Sequence, residues 1–442
     1  MSYTTQQDIL DFVEDNNVKF VRFAFCDIFG FQKNIAVLTS DLPKALEDGV
    51  CFDGSAIAGF MHMEESDLVL RPDLSTMTIL PWRTAEGRVD AVLLRRGKAG
   101  QYPFGGNCRG FLRGHQPPVQ AAGPALQRRH RVRVLSFRER RPGPSHPHPH
   151  RRRRLFRRSA AGRRREHPPG HLPDHGADGP RPQHSHHENG HGQNEIDFHY
   201  AGPLKTADNI FLFKQIVRAV AASNGFHSSF LPKPLPDQAG SGLHINLSLT
   251  MDGKNLFEGD IAPDSIPGSF MAGILRHSRE LTAFTNPLPN SYLRFGCDEA
   301  PRYVSWSRQN RSQLVRIPQV KGDNCRMELR SPDPACNPYL AIGLVLAAGL
   351  DGIREPDGAV CPCQPQPLHP ERSRRSRSRD PARLAGRGRR GGQEQRVPSQ
   401  IPARRAEPPL LCRGSAPLRG TQERLRPREY ERVHYSMPSD AE

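Results

Sequence analysis

Seven arginines crowd the stretch between residues 290 and 353, and the spacing of five of them limits what the chain can fold into. Arg294, Arg311, Arg316, Arg326 and Arg330 each carry a planar fork that grips a carboxylate or a phosphate through two hydrogen bonds. Glu299 and Glu328 lie among them. A carboxylate among so many arginines is either a structural counter-ion or a metal ligand. Upstream sequence favours the ligand, because His186-His187-Glu188, Glu195 in GQNEIDF and His244 in AGSGLHINLSL complete a set of hard-cation donors.

Apolar periodicity divides the chain into elements. Thr5 can cap a first helix with Ile9, Leu10, Phe12 and Val13 on one face. VKFVRFAF and KNIAVL flank DIFGF as a hairpin, Ser40-Asp41-Leu42-Pro43 starts a short helix, and residues 89–94 read as a strand. Farther on, NEIDFHYAG and HINLSLTMDG are strand-like, the second ending at an Asp252-Gly253 turn. Between them residues 206–224 predict a helix, with Ile210, Phe213, Ile216, Val217 and Val220 at helical spacing and Gly225 closing it. A further helix is predicted over 267–285, and a buried one over 337–350 begins at PDPACNP.

Two blocks break this pattern. Between residues 97 and 183 the only acids are Glu139, Glu166, Asp174 and Asp178, while arginine, proline and histidine dominate, and residues 355–428 read the same way. The blocks supply most of the net charge of +17 and by themselves suggest disordered tracts that bind nucleic acid. A structureless stretch of that length inside a compact domain counts against this. The histidines at 146–150 match no closed zinc site. Nine scattered cysteines without a CxxC pair fit a reducing compartment. No apolar run approaches membrane-spanning length and the amino end is acidic, so a cytoplasmic chain with no membrane partner is expected.

FDGSAIAGF, HHE followed by GQNEID, KPLPDQAGSGLHINLSL, NRSQLVRIP and RMELRSPDPACNPYLA occur in an order that resembles glutamine synthetase of the bacterial class I type. The resemblance covers residues 1–94 and 184–353. It implies an α+β fold, with an amino-terminal β-grasp domain over 1–97 and a catalytic domain over 98–442, in which helices surround a curved antiparallel sheet or partial barrel. The implied activity is ATP-dependent ligation of ammonia to the γ-carboxylate of L-glutamate through γ-glutamyl phosphate. The family's homo-oligomer is a dodecamer of two hexameric rings with active sites shared between neighbours.

The resemblance also assigns roles. Glu188 and Glu195 match ligands of one metal, His244 and Glu328 those of a second, with Mg2+ or Mn2+ as the cofactor, two or more per site, and ATP as a substrate. Arg294 and Arg330, with Gly240 and His244, resemble the glutamate-binding residues. Arg311, Arg316 and Arg326 resemble those facing the nucleotide phosphates, and Ser248 and Tyr200 line the nucleotide pocket or are merely structural. Asp53 matches the residue that binds ammonium across a subunit boundary, although Asp-Gly usually marks only a turn. Glu299 matches the flap that closes over the site; its CDEAP is one residue shorter than the family pattern, and a solvated loop acid is the plainer reading.

The arginine-rich blocks have an explanation in the genetic code. Codons for His130–Arg138, read one nucleotide later, can give Thr-Glu-Cys-Glu-Phe-Phe-Leu-Phe-Glu, which resembles the family's metal-binding strand. Residues 154–158 likewise give Gly-Tyr-Phe-Asp-Val and residues 363–368 give Val-Asn-Arg-Asn-Leu-Tyr, in the same shift direction and in family order. The family's two strand glutamates, one for each metal, fall at Arg131 and Arg133, and a guanidinium cannot lose a proton to bind a cation. A polypeptide of this sequence is therefore expected to lack one ligand at each metal and to show negligible activity.

Two other functions compete. A related ligase would couple glutamate to an amine larger than ammonia, which Asp53 and Glu299 argue against. A nucleic-acid-binding protein built on an inactive enzyme would show steep salt dependence of binding. An intact mass of 49.5 kDa for the purified protein is the measurement that ties the arginine-rich blocks to the polypeptide; a different mass assigns them to a reading frame that is not translated.

Overall fold

The structure, a computed structural model, describes residues 5–55, 57, 66–80, 89–98, 106–115, 125–127, 130–138, 182–190, 192–259, 261–308, 310–355 and 366–367. Most of both arginine-rich blocks, residues 58–60 of FDGSAIAGF and the histidines at 146–150 lie outside these. Two compact units divide the chain, Met1–His369 and Pro370–Glu442, and the second is wholly outside the described residues.

The first sheet forms as its sequence predicts. Thr5 opens α1 (Gln6–Asp15): its hydroxyl accepts the Asp8 N–H at 3.1 Å while the Asp8 carboxylate accepts the Thr5 N–H at 2.9 Å. Ile9 and Val13 are buried, Leu10 and Phe12 half-buried. Strands β1 (Phe20–Cys26) and β2 (Gln32–Leu38) make the expected hairpin, followed by α2 (Leu42–Asp48) with Pro43 in its first turn. Then come β3 (Val50–Asp53), β4 (Asp67–Pro72), β5 (Thr78–Ile79) and β6 (Val89–Lys98). The sheet order is β2-β1-β6-β4-β3, with β5 on β6 and a parallel pair, β1 and β6, at its centre. Val21, Phe23, Leu42 and Leu70 fill its core.

The second sheet carries eleven strands. They are β7 (Ala125–Gln127), β8 (His130–Arg138), β9 (Pro182–His187), β10 (Gln193–Phe198), β11 (Phe226–Ser229), β12 (Leu243–Met251), β13 (Lys254–Asn255), β14 (Tyr303–Ser307), β15 (Gln313–Arg316), β16 (Met327–Leu329) and β17 (Gln366–Pro367). Their order is β17-β14-β15-β16-β12-β8-β10-β9, with β11 on β8 and both β7 and β13 on β12. All pairs are antiparallel except β14 with β15. Among the described residues the sheet stays open, so the partial barrel expected from the sequence is not a closed one.

The helices are α3 (Cys108–Gly114), α4 (Pro203–Ser223), α5 (Ile266–Arg276), α6 (Ser278–Thr285), α7 (Pro289–Tyr292) and α8 (Pro338–Arg354). Asp252 and Gly253 both have positive φ and turn β12 into β13 as expected. The single helix predicted over 267–285 is two. The chain leaves helical geometry at His277 (φ −86°, ψ 7°), whose ring bonds Glu280 of α6 at 2.6 Å and Asp351 of α8 at 2.8 Å.

Strand β12 is the spine of the second sheet. Leu243, Ile245, Leu247 and Leu249 alternate toward a core shared with Phe211, Phe213, Ile274, Ile342 and Val345. The intervening His244, Asn246 and Ser248 are just as buried on the other face. A strand buried on both sides normally reads as continuously apolar, so a polar buried face marks where the fold serves something other than packing.

Buried polar contacts tie the amino-terminal sheet to the helices. Arg109 of α3 makes a two-pronged bond to Asp208 of α4, both contacts 3.0 Å, and reaches Asp73 at 2.9 Å. The Tyr339 hydroxyl donates to the same Asp208 at 2.9 Å. Asn337, the N-cap of α8, donates to the carbonyls of Asp27 and Ile28, each at 3.1 Å. Gly30 fits against it because its φ of +82° and the 2.8 Å from its absent Cβ to Asn337 Cα exclude a side chain. Replacing Arg109 by alanine strands the Asp208 carboxylate away from water. A loss of about 3–5 kcal/mol is expected, read as a lower urea midpoint.

Candidate active site

Sheet register gathers the site. Partnered residues of adjacent strands project to the same face, as do residues two apart along a strand. From His186 on β9 one face therefore runs through Glu195 on β10, positions 133 and 131 on β8, His244 and Asn246 on β12, Glu328 on β16 and Arg316 on β15. The apolar partners of these strands, Ile196, Leu243, Ile245 and Leu329, occupy the opposite face.

Two acidic clusters lie on that face. In the first, donor atoms of His186, Glu188 and Glu195 all fall within 4.8 Å of one another, and the Glu188 carboxylate meets His186 Nε2 at 3.1 Å. A turn shapes it: the Glu188 N–H donates to the Gln193 carbonyl at 2.9 Å, and the Gln193 amide reaches the Gly240 carbonyl at 3.1 Å. In the second, His244 Nδ1 lies 3.3 Å from Glu328 Oε1, and both residues are nearly inaccessible. Strand β8 separates β10 from β12, so the clusters stand about 10 Å apart, two strand spacings.

Arginines close over them. Glu328 Oε2 accepts from Arg316 Nη1 at 3.0 Å, and its other oxygen accepts from Arg330 Nη1. Arg330 is only 2% exposed; its Nη2 donates to the Glu299 carbonyl at 3.0 Å and its Nε to the Arg311 carbonyl at 3.1 Å. Arg311 Nη1 meets the Glu299 carboxylate at 2.8 Å, and Arg326 Nε the Asn246 amide oxygen at 2.9 Å. The Glu299 hydrogen bond, then its charge, and farther off Glu328 and Glu188, raise the Arg311 pKa above its ordinary value. The charges of both acidic clusters thus reach one guanidinium.

Arg294 does something different from what its motif suggests. Its Nη1 donates to the Ser331 carbonyl at 2.8 Å and its Nη2 to the Arg330 carbonyl at 3.0 Å. Here it fastens the loop behind Arg330. The glycines of AGSG make room for it: a Cβ at Gly242 would lie 2.4 Å from Arg294 Nη2, and one at Gly240 would lie 3.0 Å from Arg294 Cγ. The space these glycines leave is filled by the Arg294 side chain.

Glu188, Glu195, His244, Glu299, Glu328, Arg311, Arg316, Arg326 and Arg330 thus come together as their motifs suggest. Asp53 does not join them: it ends β3 in the other sheet, exposed, and its carboxylate accepts the Ser55 N–H at 2.8 Å. Hydrogen bonds from the Ser55 side chain and backbone hold its pKa below the ordinary value. Ser248 lies farther along β12, opposite Gln127, and Tyr200 is half exposed beyond β10. Sequence reading passed over Asn246, whose signal was its place between His244 and Ser248 in a strict alternation. It also passed over Asn286, which donates to the Ser331 carbonyl at 2.7 Å and to Asp333 at 2.8 Å. Burial pushes the Asp333 carboxyl up to about 6 despite Arg294 and these hydrogen bonds.

Such a face, acids beneath fixed guanidiniums, suits anionic substrates and the phosphates of a nucleotide. Comparison with known proteins agrees. The glutamine synthetase β-grasp domain matches residues 17–94 and the glutamine synthetase catalytic domain matches 176–384; most of the first arginine-rich block lies between the two. A glutamine synthetase of Clostridium saccharobutylicum is 39% identical over 370 residues, covering 80% of this chain and 81% of its own. One of Methanosarcina mazei is 40% identical over 361 residues, covering 79% of each. Among solved structures, Plasmodium falciparum glutamine synthetase shares the fold with a TM-score of 0.68 at 22% identity, over 82% of this chain and 78% of that one. GmaS without ligand gives 0.65 at 28% identity, over 81% and 83%.

The fold and site define an ATP-dependent ligase. The chain belongs to the glutamine synthetase family, which makes glutamine from glutamate and ammonia and typically uses ATP and a divalent metal. Gly242→Ala is expected to push Arg294 off its carbonyls and cost about 1–3 kcal/mol as an overpacked buried site, checked by urea denaturation.

Proposed function

We propose that the arginine-lined face makes glutamine by the class I route, with γ-glutamyl phosphate as its intermediate. A carboxylate is a poor electrophile for ammonia. The γ-carboxylate oxygen of glutamate therefore attacks the terminal phosphorus of ATP, ADP leaves, and ammonia then displaces phosphate from the acyl carbon. Like charges meet in the first step, and fixed guanidiniums are what let them approach.

The observation that carries this reading is the pair of arginines on Glu328. Arg316 is anchored there through Nη1, while its buried Nε has no hydrogen-bond partner among the described residues, as is true of Asn246 Nδ2 beside it. Buried N–H groups left this way are costly, and a phosphate oxygen would satisfy them. Arg316 thus faces the transferred phosphoryl group, with Arg311 and Arg326 on the other phosphates. Arg330, held by three acceptors on Glu328, Glu299 and Arg311, orients glutamate, and Arg294 orients Arg330. Glu299, on a loop beside Arg311, closes over the acyl phosphate. Ser248, on the same face of β12 as His244 and Asn246, and Tyr200 line the nucleotide pocket.

The donors fit a hard cation: carboxylate oxygens with one imidazole in each cluster. Glu188 and Glu195, with His186 beside them, would hold one Mg2+ or Mn2+ and His244 with Glu328 a second, supplying neutralisation of phosphate charge. A GmaS structure solved with ADP, 26% identical with a TM-score of 0.64, supports a nucleotide at this face.

Asp53, exposed and readily ionised, takes ammonium in the site of a neighbouring subunit, so the working form is the ring dodecamer. The domain division is 1–97 and 98–442. The location is cytoplasmic; among the described residues no helix is long and apolar enough to cross a membrane. At saturating divalent cation, the residual phosphate release from ATP left by arginine at positions 131 and 133 is expected to require glutamate and to run at least about tenfold faster, 1.4 kcal/mol, with ammonium than with putrescine or spermidine. Equal rates with the larger amines would sink the ammonia assignment in favour of the amine ligase.

A further inference from the structure

Behind Arg330 lies a polar network that the substrate-facing side chains do not use. Asp333 is its centre, wholly inaccessible, as are Asn286 and Ser291. Its carboxylate accepts the Asn286 amide at 2.8 Å, the Ala335 N–H at 3.0 Å and the Ser291 hydroxyl. The same Asn286 amide donates to the Ser331 carbonyl at 2.7 Å, and Arg294 Nη1 donates to that carbonyl at 2.8 Å. Both lone pairs of one carbonyl are therefore taken. Arg294 Nη2 continues to the Arg330 carbonyl at 3.0 Å. A hydrogen-bonded path thus runs from Asp333 through Asn286, the Ser331 carbonyl and Arg294 to Arg330, and every member of it is nearly shut off from water.

Burial pushes the Asp333 carboxyl up to about 6, against the lowering by Arg294, Ser291, Asn286 and the Ala335 N–H. The other ionisable groups facing it are the Lys214 ammonium of α4, pushed down to about 8 by burial, and the Cys336 thiol, pushed up to about 12 by burial and so uncharged. Between about 6 and 8, then, Asp333 is an anion beside two cations. Protonation would turn one acceptor oxygen into a donor among N–H groups and leave Arg294 without its counter-charge. Because the folded pKa lies above the ordinary 3.8, the group favours the fold at low pH, and that contribution is lost as pH rises through about 6. A charge kept buried against the fold's own preference fits a group that serves the site rather than stability. We propose that Asp333 is a positioning residue whose ionised carboxylate, acting through Asn286 and Arg294, holds Arg330 in the orientation that binds glutamate. This rests on reading Arg330 as the arginine that orients glutamate, and it makes the hold on that substrate sensitive to acid.

Calorimetric binding of L-glutamate to the full-length protein between about pH 5 and pH 8 tests this, since free glutamate keeps both carboxylates largely ionised over that range. The wild type is expected to lose at least about tenfold in affinity, 1.4 kcal/mol, as pH falls through the Asp333 titration. Asp333→Asn, nearly the same shape but with a donor in place of one acceptor, should bind at the weak level throughout and show no such limb. Thermal midpoints supply a readout of opposite sign: the wild-type value minus the variant's should fall as pH rises over the same window. Binding then tightens while relative stability drops, a pairing that a purely structural carboxylate would not give. A wild-type affinity that is flat with pH, a limb that survives in Asp333→Asn, or a midpoint difference that does not fall would overturn the proposal and leave Arg330 as the glutamate residue. A wild type that binds no glutamate at any pH would overturn both. Should Asp333→Asn not fold, Asn286→Ala, which keeps the carboxylate and cuts its link to Ser331, takes its place, and an unchanged limb there would count equally against Asp333.

Discussion

The site depends on a single carboxylate, that of Glu328. One oxygen is held by Arg316, the other by Arg330 and faced by His244, and Glu328 itself sits on a strand that water barely reaches. Two guanidiniums this close would repel one another in a buried setting, and Glu328 lets both stay. Arg330 in turn holds the Glu299 and Arg311 carbonyls, so the loop that carries Glu299 is fixed to the same point. Removing the acid would leave the arginines uncompensated, the situation in which buried charge becomes most destabilising.

Around that point the protein is arranged in two layers with different chemistry. Strand β12 separates them: its leucines and isoleucine pack on α4, α5 and α8, while its histidine and asparagine face the arginines. Arg294 and the loop from Ser331 to Asn337 join the layers, since the residue that braces Arg330 leads directly into the N-cap of α8. The same Asn337 holds the Asp27 and Ile28 carbonyls of the first sheet. Hydrogen bonds therefore connect the β-grasp hairpin to the arginines around Glu328 through a handful of backbone groups, and rigidity at one end supports geometry at the other.

Much of this was legible in the chain. The Thr5 cap, the β1–β2 hairpin, the Asp252-Gly253 turn and the long helix α4 follow from local rules that act within a few residues, so they appear where the spacing puts them. Helix α8 began at its predicted cap but ran on to Arg354, because burial against α5 and α3 rather than propensity sets its length. The break at His277 was hidden: an apolar periodicity continues through it, and only Asp351 on another helix supplies the reason to stop.

The sequence alone determined which residue types meet, because HHE, GQNEID, GSGLHINLSL and RMELR carry donors and forks whose chemistry has few other uses, and alternation along a strand already sorts them to one side. Tertiary structure decided what each does there. Arg294 turned to backbone carbonyls and Gly242 to making space for it, since a guanidinium binds whatever acceptors the fold brings near. The placing of positions 131 and 133 beside Glu195 and His244 likewise came only from strand pairing, a long-range choice in which the apolar face of a strand fixes register and its polar face must follow.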